Sequence, residues 1–202
     1  MKALVIVDVQ NDFCPGGFLA VTGGDEIVPI INSIIDEFDF VTATQDWHPQ
    51  NHGSFASNNG ANPYEMGELS GQPQIMWPDH CVQDSPGAYF HKDLDLDGVA
   101  VFQKGLDASV DSYSGFCDNN GKNPTGLAEF LHGMGVTDVY ICGLATDYCV
   151  KFTALDAVKE GFKTFVLTDA CRGVNAEAFG TANAIREMQD AGINCISFKF
   201  IK

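Results

Sequence analysis

The feature that most constrains this chain is an alternation. Short apolar, β-branched runs take turns with segments that carry apolar residues at helical spacing. Ala3-Leu4-Val5-Ile6-Val7 is continuously apolar, as a parallel strand buried on both faces would be. The same reading predicts strands at 40–44, 98–102, 136–142, 164–168 and 193–198. Residues 25–38 carry Ile27, Val28, Ile30, Ile31, Ile34, Ile35 and Phe38 at helical spacing, with Pro29 in the first turns, where proline is tolerated. Further helices are expected at 127–134, at 147–160 before Gly161, and at 176–191 before Gly192. Repeated strand–helix alternation predicts a mostly parallel six-stranded sheet. Right-handed crossovers then clothe both of its faces, giving a three-layer α/β/α sandwich.

The 202 residues suit one domain, 1–202, and 45% hydrophobic with 19% charged residues is a globular profile. A net charge of -16 repels phosphate, so neither nucleic acid nor an anionic membrane is an expected partner. Seven cysteines, an odd number, include no CxxC pair. The apolar start is too short for a secretory signal, and no run approaches a membrane span. Reduced thiols in a cytoplasmic protein are the simplest account. A homo-oligomer is left open.

Ligands of parallel sheets bind beyond the carboxyl ends of the strands. Three reactive side chains fall at such ends. Asp8 closes the first strand, and Lys104 follows the third. Cys149 sits in Gly143-Leu144-Ala145-Thr146-Asp147-Tyr148-Cys149-Val150, at the start of a helix. A helix N-terminus favours an anion, so a thiol there can have a lowered pKa, and turn N–H groups are free to bind an oxyanion. The carboxylate would take the thiol proton and the ammonium would stabilise the surrounding negative charge. Singly, these residues read as a core cysteine, a loop-capping carboxylate and a solvated lysine.

Residues 45–97 form a long stretch poor in periodic pattern, which in a compact domain is usually functional. It holds four of the five histidines, His48, His52, His80 and His91. Asp46 and His48 alternate and point to one side of an extended segment. An Asp with two or three imidazoles is a normal ligand set for zinc, iron or manganese. Phe13, Trp77 and Tyr113 lie in loops beside these groups, where aromatics can wall a flat substrate or simply pack.

Together, Asp8-Val9-Gln10-Asn11-Asp12-Phe13, Asp46-Trp47-His48, Trp77-Pro78-Asp79-His80-Cys81, Lys104-Gly105, Asp111-Ser112-Tyr113-Ser114-Gly115-Phe116 and the Cys149 segment resemble the nicotinamidases (pyrazinamidases) of the isochorismatase-like cysteine hydrolases. The resemblance runs from Met1 to about Gly173. It implies Asp8 as general base, Lys104 as triad lysine and Cys149 as nucleophile. It implies a cis peptide between Leu144 and Ala145, with the Ala145 and Cys149 N–H groups as the oxyanion hole. Asp46, His48 and His80 would hold one divalent metal, zinc first, with iron or manganese as alternatives, in an insertion at about 45–97. His52 stays outside that set. Phe13, Trp77 and Tyr113 would enclose the ring of nicotinamide. The expected reaction releases ammonia through a cysteine thioester in NAD salvage, with pyrazinamide also accepted. Lys104→Met is expected to cripple catalysis with little loss of stability. The rival readings are a relative acting on an N-carbamoyl compound, a ureide or isochorismate, a metal-binding or redox-sensing protein without turnover, and a structural module.

Overall fold

The computed structural model describes residues 1–201. In chain order the elements are β1 (Lys2–Val7), α1 (Val28–Asn32), β2 (Phe40–Asp46), α2 (Ala56–Asn59), β3 (Met66–Leu69), β4 (Gln72–Ile75), β5 (Ala100–Lys104), α3 (Leu127–Gly133), β6 (Asp138–Leu144), α4 (Lys151–Lys159), β7 (Lys163–Arg172), α5 (Gly180–Asp190) and β8 (Asn194–Ile196). Six strands form one sheet in the order β5-β2-β1-β6-β7-β8, and every pair in it is parallel. The expected six-stranded α/β sandwich is the fold observed. Connections run one way from β1 and the other way from β6. The order therefore reverses between these two strands, where parallel sheets place their ligands. Ala3 to Val7 are fully buried, so β1 is the central strand its composition implied.

Several boundaries differ from expectation, among them those of β2, β6 and β7, which run on to Asp46, Leu144 and Arg172. The 25–38 segment is not one helix: α1 spans only Val28–Asn32, flanked by 3-10 turns at Gly24–Ile27 and Ile35–Glu37. Tertiary bonds compete with the helical ladder here. The Ser33 hydroxyl donates to Ile30 O at 2.7 Å, the Asn32 side chain binds Asp93 O and Asp95 N, and Ile34 takes φ −117°. The third strand begins at Ala100, not at 98, because Gly98 has φ 71°, and it runs on so that Lys104 pairs with Asp46 of β2. The last helix begins at Gly180, not 176. The preceding chain is turned by positive φ at Asn175 and Phe179. The last strand stops at Ile196, because Asp169 captures the Ser197 hydroxyl and the Phe198 N–H. The stretch 45–97 contains the antiparallel β3–β4 hairpin and α2, which its composition did not announce.

Candidate active site

Four strand ends deliver the site. Asp8 follows β1, Asp46 and Lys104 are the last residues of β2 and β5, and Cys149 follows β6. Asp8 adopts φ 49°. Close approach of β6 to β1 demands glycine at 143, where a Cβ would lie 2.0 Å from Val7 O. The Leu144–Ala145 peptide is cis. The helix that follows opens with a wide π turn, Thr146–Val150, before regular α4, and Cys149 lies inside that turn.

Lys104 is buried, at 2% exposure, and is not the solvated lysine of the bland reading. Its Nζ lies 2.9 Å from Asp8 Oδ2, an ion-pair contact without hydrogen-bond alignment. It also bonds to Asp46 Oδ1, donates to Ser112 O at 2.8 Å and approaches Cys149 Sγ at 3.4 Å. One ammonium thus touches both carboxylates and the thiol. Asp8 Oδ1 accepts from the Thr44 hydroxyl at 2.6 Å, and its carboxylate also meets the Cys149 thiol.

The electrostatics correct one expectation. The helix terminus does not leave Cys149 a preformed thiolate. Burial pushes the thiol well above its ordinary value, Lys104 opposes this, and the Asp8 and Asp46 charges add to it. Burial likewise lifts Asp8 to about 6, against the pull of Lys104. Asp46 goes the other way: burial opposes its charge, but Lys104 and His48 hold it far below the usual carboxylate range. Lys104 is kept charged despite burial by Asp46 and Asp8. The resting site is therefore a thiol beside a carboxylate of raised basicity, the pairing a proton transfer needs.

Asp46, His48 and His80 converge as the resemblance implied, all buried, with ligand-type atoms within 4.8 Å of one another. His48 Nδ1 bonds to Gly105 O at 3.0 Å and His80 Nδ1 to Pro78 O at 2.7 Å. With those protons on Nδ1, both Nε2 atoms present lone pairs to Asp46 Oδ2, at 3.6 and 4.0 Å. Three electron-rich atoms so close repel one another unless a cation lies between them, so the donor set fits a divalent metal. His52 packs against His48 with ring centroids 4.3 Å apart and planes tilted by 47°, and its buried Nε2 has no hydrogen-bond partner. His91 is not among these groups. Its Nδ1 caps the Asp93 N–H at the surface.

A small cavity opens onto Cys149, Asp46 and His80. Phe13, Trp77 and Tyr113 line it, and Ala145 lies on its wall. Sequence reading missed Leu19, Val21, Asp111, Tyr148 and Val174, which also line it. Tyr148 precedes the nucleophile candidate directly, and its ring centroid is 4.8 Å from that of Trp77. Val174 lies beyond the last motif. It is brought in by Asp147, whose carboxylate accepts from Val174 N at 2.9 Å and Asn175 N at 2.7 Å.

A parallel sheet with this cysteine, carboxylate and lysine at its switch point defines a class, and the chain belongs to it: the Isochorismatase domain model matches residues 2–199. Within that family the chain groups with the nicotinamidases. It is 51% identical to the nicotinamidase of Escherichia coli (strain K12) over 95% of this chain and 92% of that protein. A solved Acinetobacter baumanii nicotinamidase/pyrazinamidase superposes with TM-score 0.93 at 47% identity, covering 97% of this chain and 95% of that one. A Pyrococcus horikoshii pyrazinamidase, solved in complex with zinc, superposes with TM-score 0.80 at 41% identity, covering 98% of this chain and 99% of that one. No helix among the described residues is long and apolar enough to cross a membrane.

Proposed function

We propose that this chain is a nicotinamidase, which hydrolyses nicotinamide to nicotinic acid and ammonia through a thioester on Cys149. The observation that carries the reading is the contact of Lys104 Nζ with Asp8, Asp46 and Cys149, the last two of which line an aromatic cavity. Asp8 takes the thiol proton as Sγ attacks the amide carbon. The ammonium of Lys104 lies 3.4 Å from Sγ and stabilises the thiolate as it forms. The N–H groups of Ala145 and Cys149 hold the tetrahedral oxyanion. Asp8 then gives its proton to the amide nitrogen, and ammonia departs. Water attacks the thioester, its proton passes through Asp8 to the sulfur, and the acid is released.

Phe13, Trp77 and Tyr113 hold the pyridine ring between apolar faces. Asp46, His48 and His80 would hold a divalent cation, zinc first, with iron or manganese as alternatives. When bound, that cation supplies a fixed positive charge against which an electron-rich ring atom is oriented. Pyrazinamide has the same carboxamide on a ring of the same size and is expected to be accepted. The product would feed NAD salvage in the cytoplasm.

The test is ammonia release from nicotinamide by the purified protein across pH. Asp8 must be ionised to accept the thiol proton. With its carboxyl lifted to about 6, kcat/KM should fall about tenfold per unit as pH drops below that value. No ammonia at any pH would refute the reading, and an acid limb near 4 would show that burial does not lift the Asp8 carboxyl. Metal retention gives a separate check. His48→Ala combined with His80→Ala should reduce bound metal to background by elemental analysis, and unchanged content would overturn the ligand set.

A further inference from the structure

The β3–β4 hairpin turns tightly through Ser70 and Gly71, at φ 50° and 77°. Its only fully buried strand residue is a glutamine: among Met66–Leu69 and Gln72–Ile75, Gln74 alone is buried. A two-stranded hairpin without an apolar face of its own is marginal and must be fastened elsewhere. Its tip is held by the Ser70 hydroxyl on Ser109 O and by Leu69 lying against Gly53. Its other end is held differently. Gln74 Nε2 lies 2.8 Å from Asp111 Oδ2, 3.0 Å from Tyr113 Oη and 2.9 Å from Ile75 O. Tyr113 Oη also accepts from Trp77 Nε1 at 3.1 Å. Asp111, Tyr113 and Trp77 all line the substrate cavity, and Trp77 is only three residues beyond Gln74. One buried amide therefore joins the hairpin to Asp111 and Tyr113 of the cavity wall, and through Tyr113 to Trp77.

We propose that Gln74 is a positioning residue that sets affinity for the aromatic ring, by fixing Tyr113 and Trp77 at a set separation across the cavity. The proposal rests on the reading of this cavity as the nicotinamide site. Gln74 touches neither the thiol nor the Asp8–Lys104 pair, so its loss acts on ring binding and leaves the chemical step in place. A polar group this buried is costly to leave without its partner. Removing the amide strips Asp111 of a donor and lets the tyrosine edge swing. The tip contacts keep the hairpin folded.

The experiment measures KM and kcat for nicotinamide, together with the Kd of nicotinic acid by calorimetry, for wild type, Gln74→Leu and Gln74→Asn. Loss of one such buried bond corresponds to about a tenfold rise in KM. Gln74→Leu should show that rise with kcat within about threefold, and the Kd of nicotinic acid should weaken in parallel. Gln74→Asn, one methylene short of the same partners, should fall between the two, and it stands in if the leucine variant does not fold. Unchanged KM and Kd in a folded variant would overturn the role of Gln74 and leave the nicotinamidase reading intact. So would a fall in kcat alone. Wild-type protein that binds nicotinic acid without releasing ammonia would refute turnover but still test Gln74 through Kd. Wild-type protein that does neither would overturn both.

Discussion

Cys149→Ala is expected to lower ammonia release by at least about 10⁴-fold, because the acyl group then has no sulfur on which to rest. The fold should survive. Cys149 is 6% exposed, and the change removes one atom from a wall that already borders a cavity, which costs about 1 kcal/mol. Lys104 keeps Asp8, Asp46 and Ser112 O as partners. The measurement is turnover beside the thermal midpoint of the same sample. Retention of more than a few per cent of turnover by the alanine variant would dismiss Cys149 as the nucleophile. A collapse of the midpoint would show that the residue serves the core instead.

Lys104→Met should be damaging twice over. Without the ammonium, nothing lowers the cost of a thiolate beside two carboxylates, and turnover should fall on the order of 10³-fold or more. Stability should fall as well, contrary to what a solvated lysine would predict. Asp8 and Asp46 are fully buried and 3% exposed, and the methionine would take the ammonium from both. Breaking a buried pair on one side costs about 3–5 kcal/mol, which in a chain of this size is about 6–20 °C in thermal midpoint. The pH dependence has a definite sign. Asp46 is depressed in the folded state, so its pairing with Lys104 stabilises above the unfolded carboxylate range and is lost as pH falls. Asp8 is raised, so burying its charge works against folding near neutrality. In both cases the harm of Lys104→Met should be greatest at neutral pH and shrink in acid. A midpoint within about 2 °C of wild type at pH 7 would contradict the buried ion-pair network.

Much of the site was legible because its chemistry falls at strand ends or in short contiguous motifs. Asp8 and Cys149 each sit just past a strand whose apolar run is unmistakable, and Asp46 and His48 share one extended segment. His52 could be seen but not assigned, since what isolates its Nε2 is the packing of His48 and Phe55 around it. Asp111 has no role legible in its own motif, because its partner Gln74 comes from a hairpin with no periodic signal. The 25–38 helix was misjudged because bonds from Asn32 to residues 93 and 95 have no local signature.

The sequence alone determined the alternation of sheet strands and helices, the parallel sheet and the residue types that meet at its switch point, since apolar periodicity and strand-end position are local properties. Tertiary structure alone decided their charge states. Desolvation raises the Asp8 carboxyl and the Cys149 thiol, and the coulombic pull of Lys104 depresses Asp46. These effects depend on which distant segments exclude water and which charges they bring within a few ångströms, and no window of neighbouring residues contains that information.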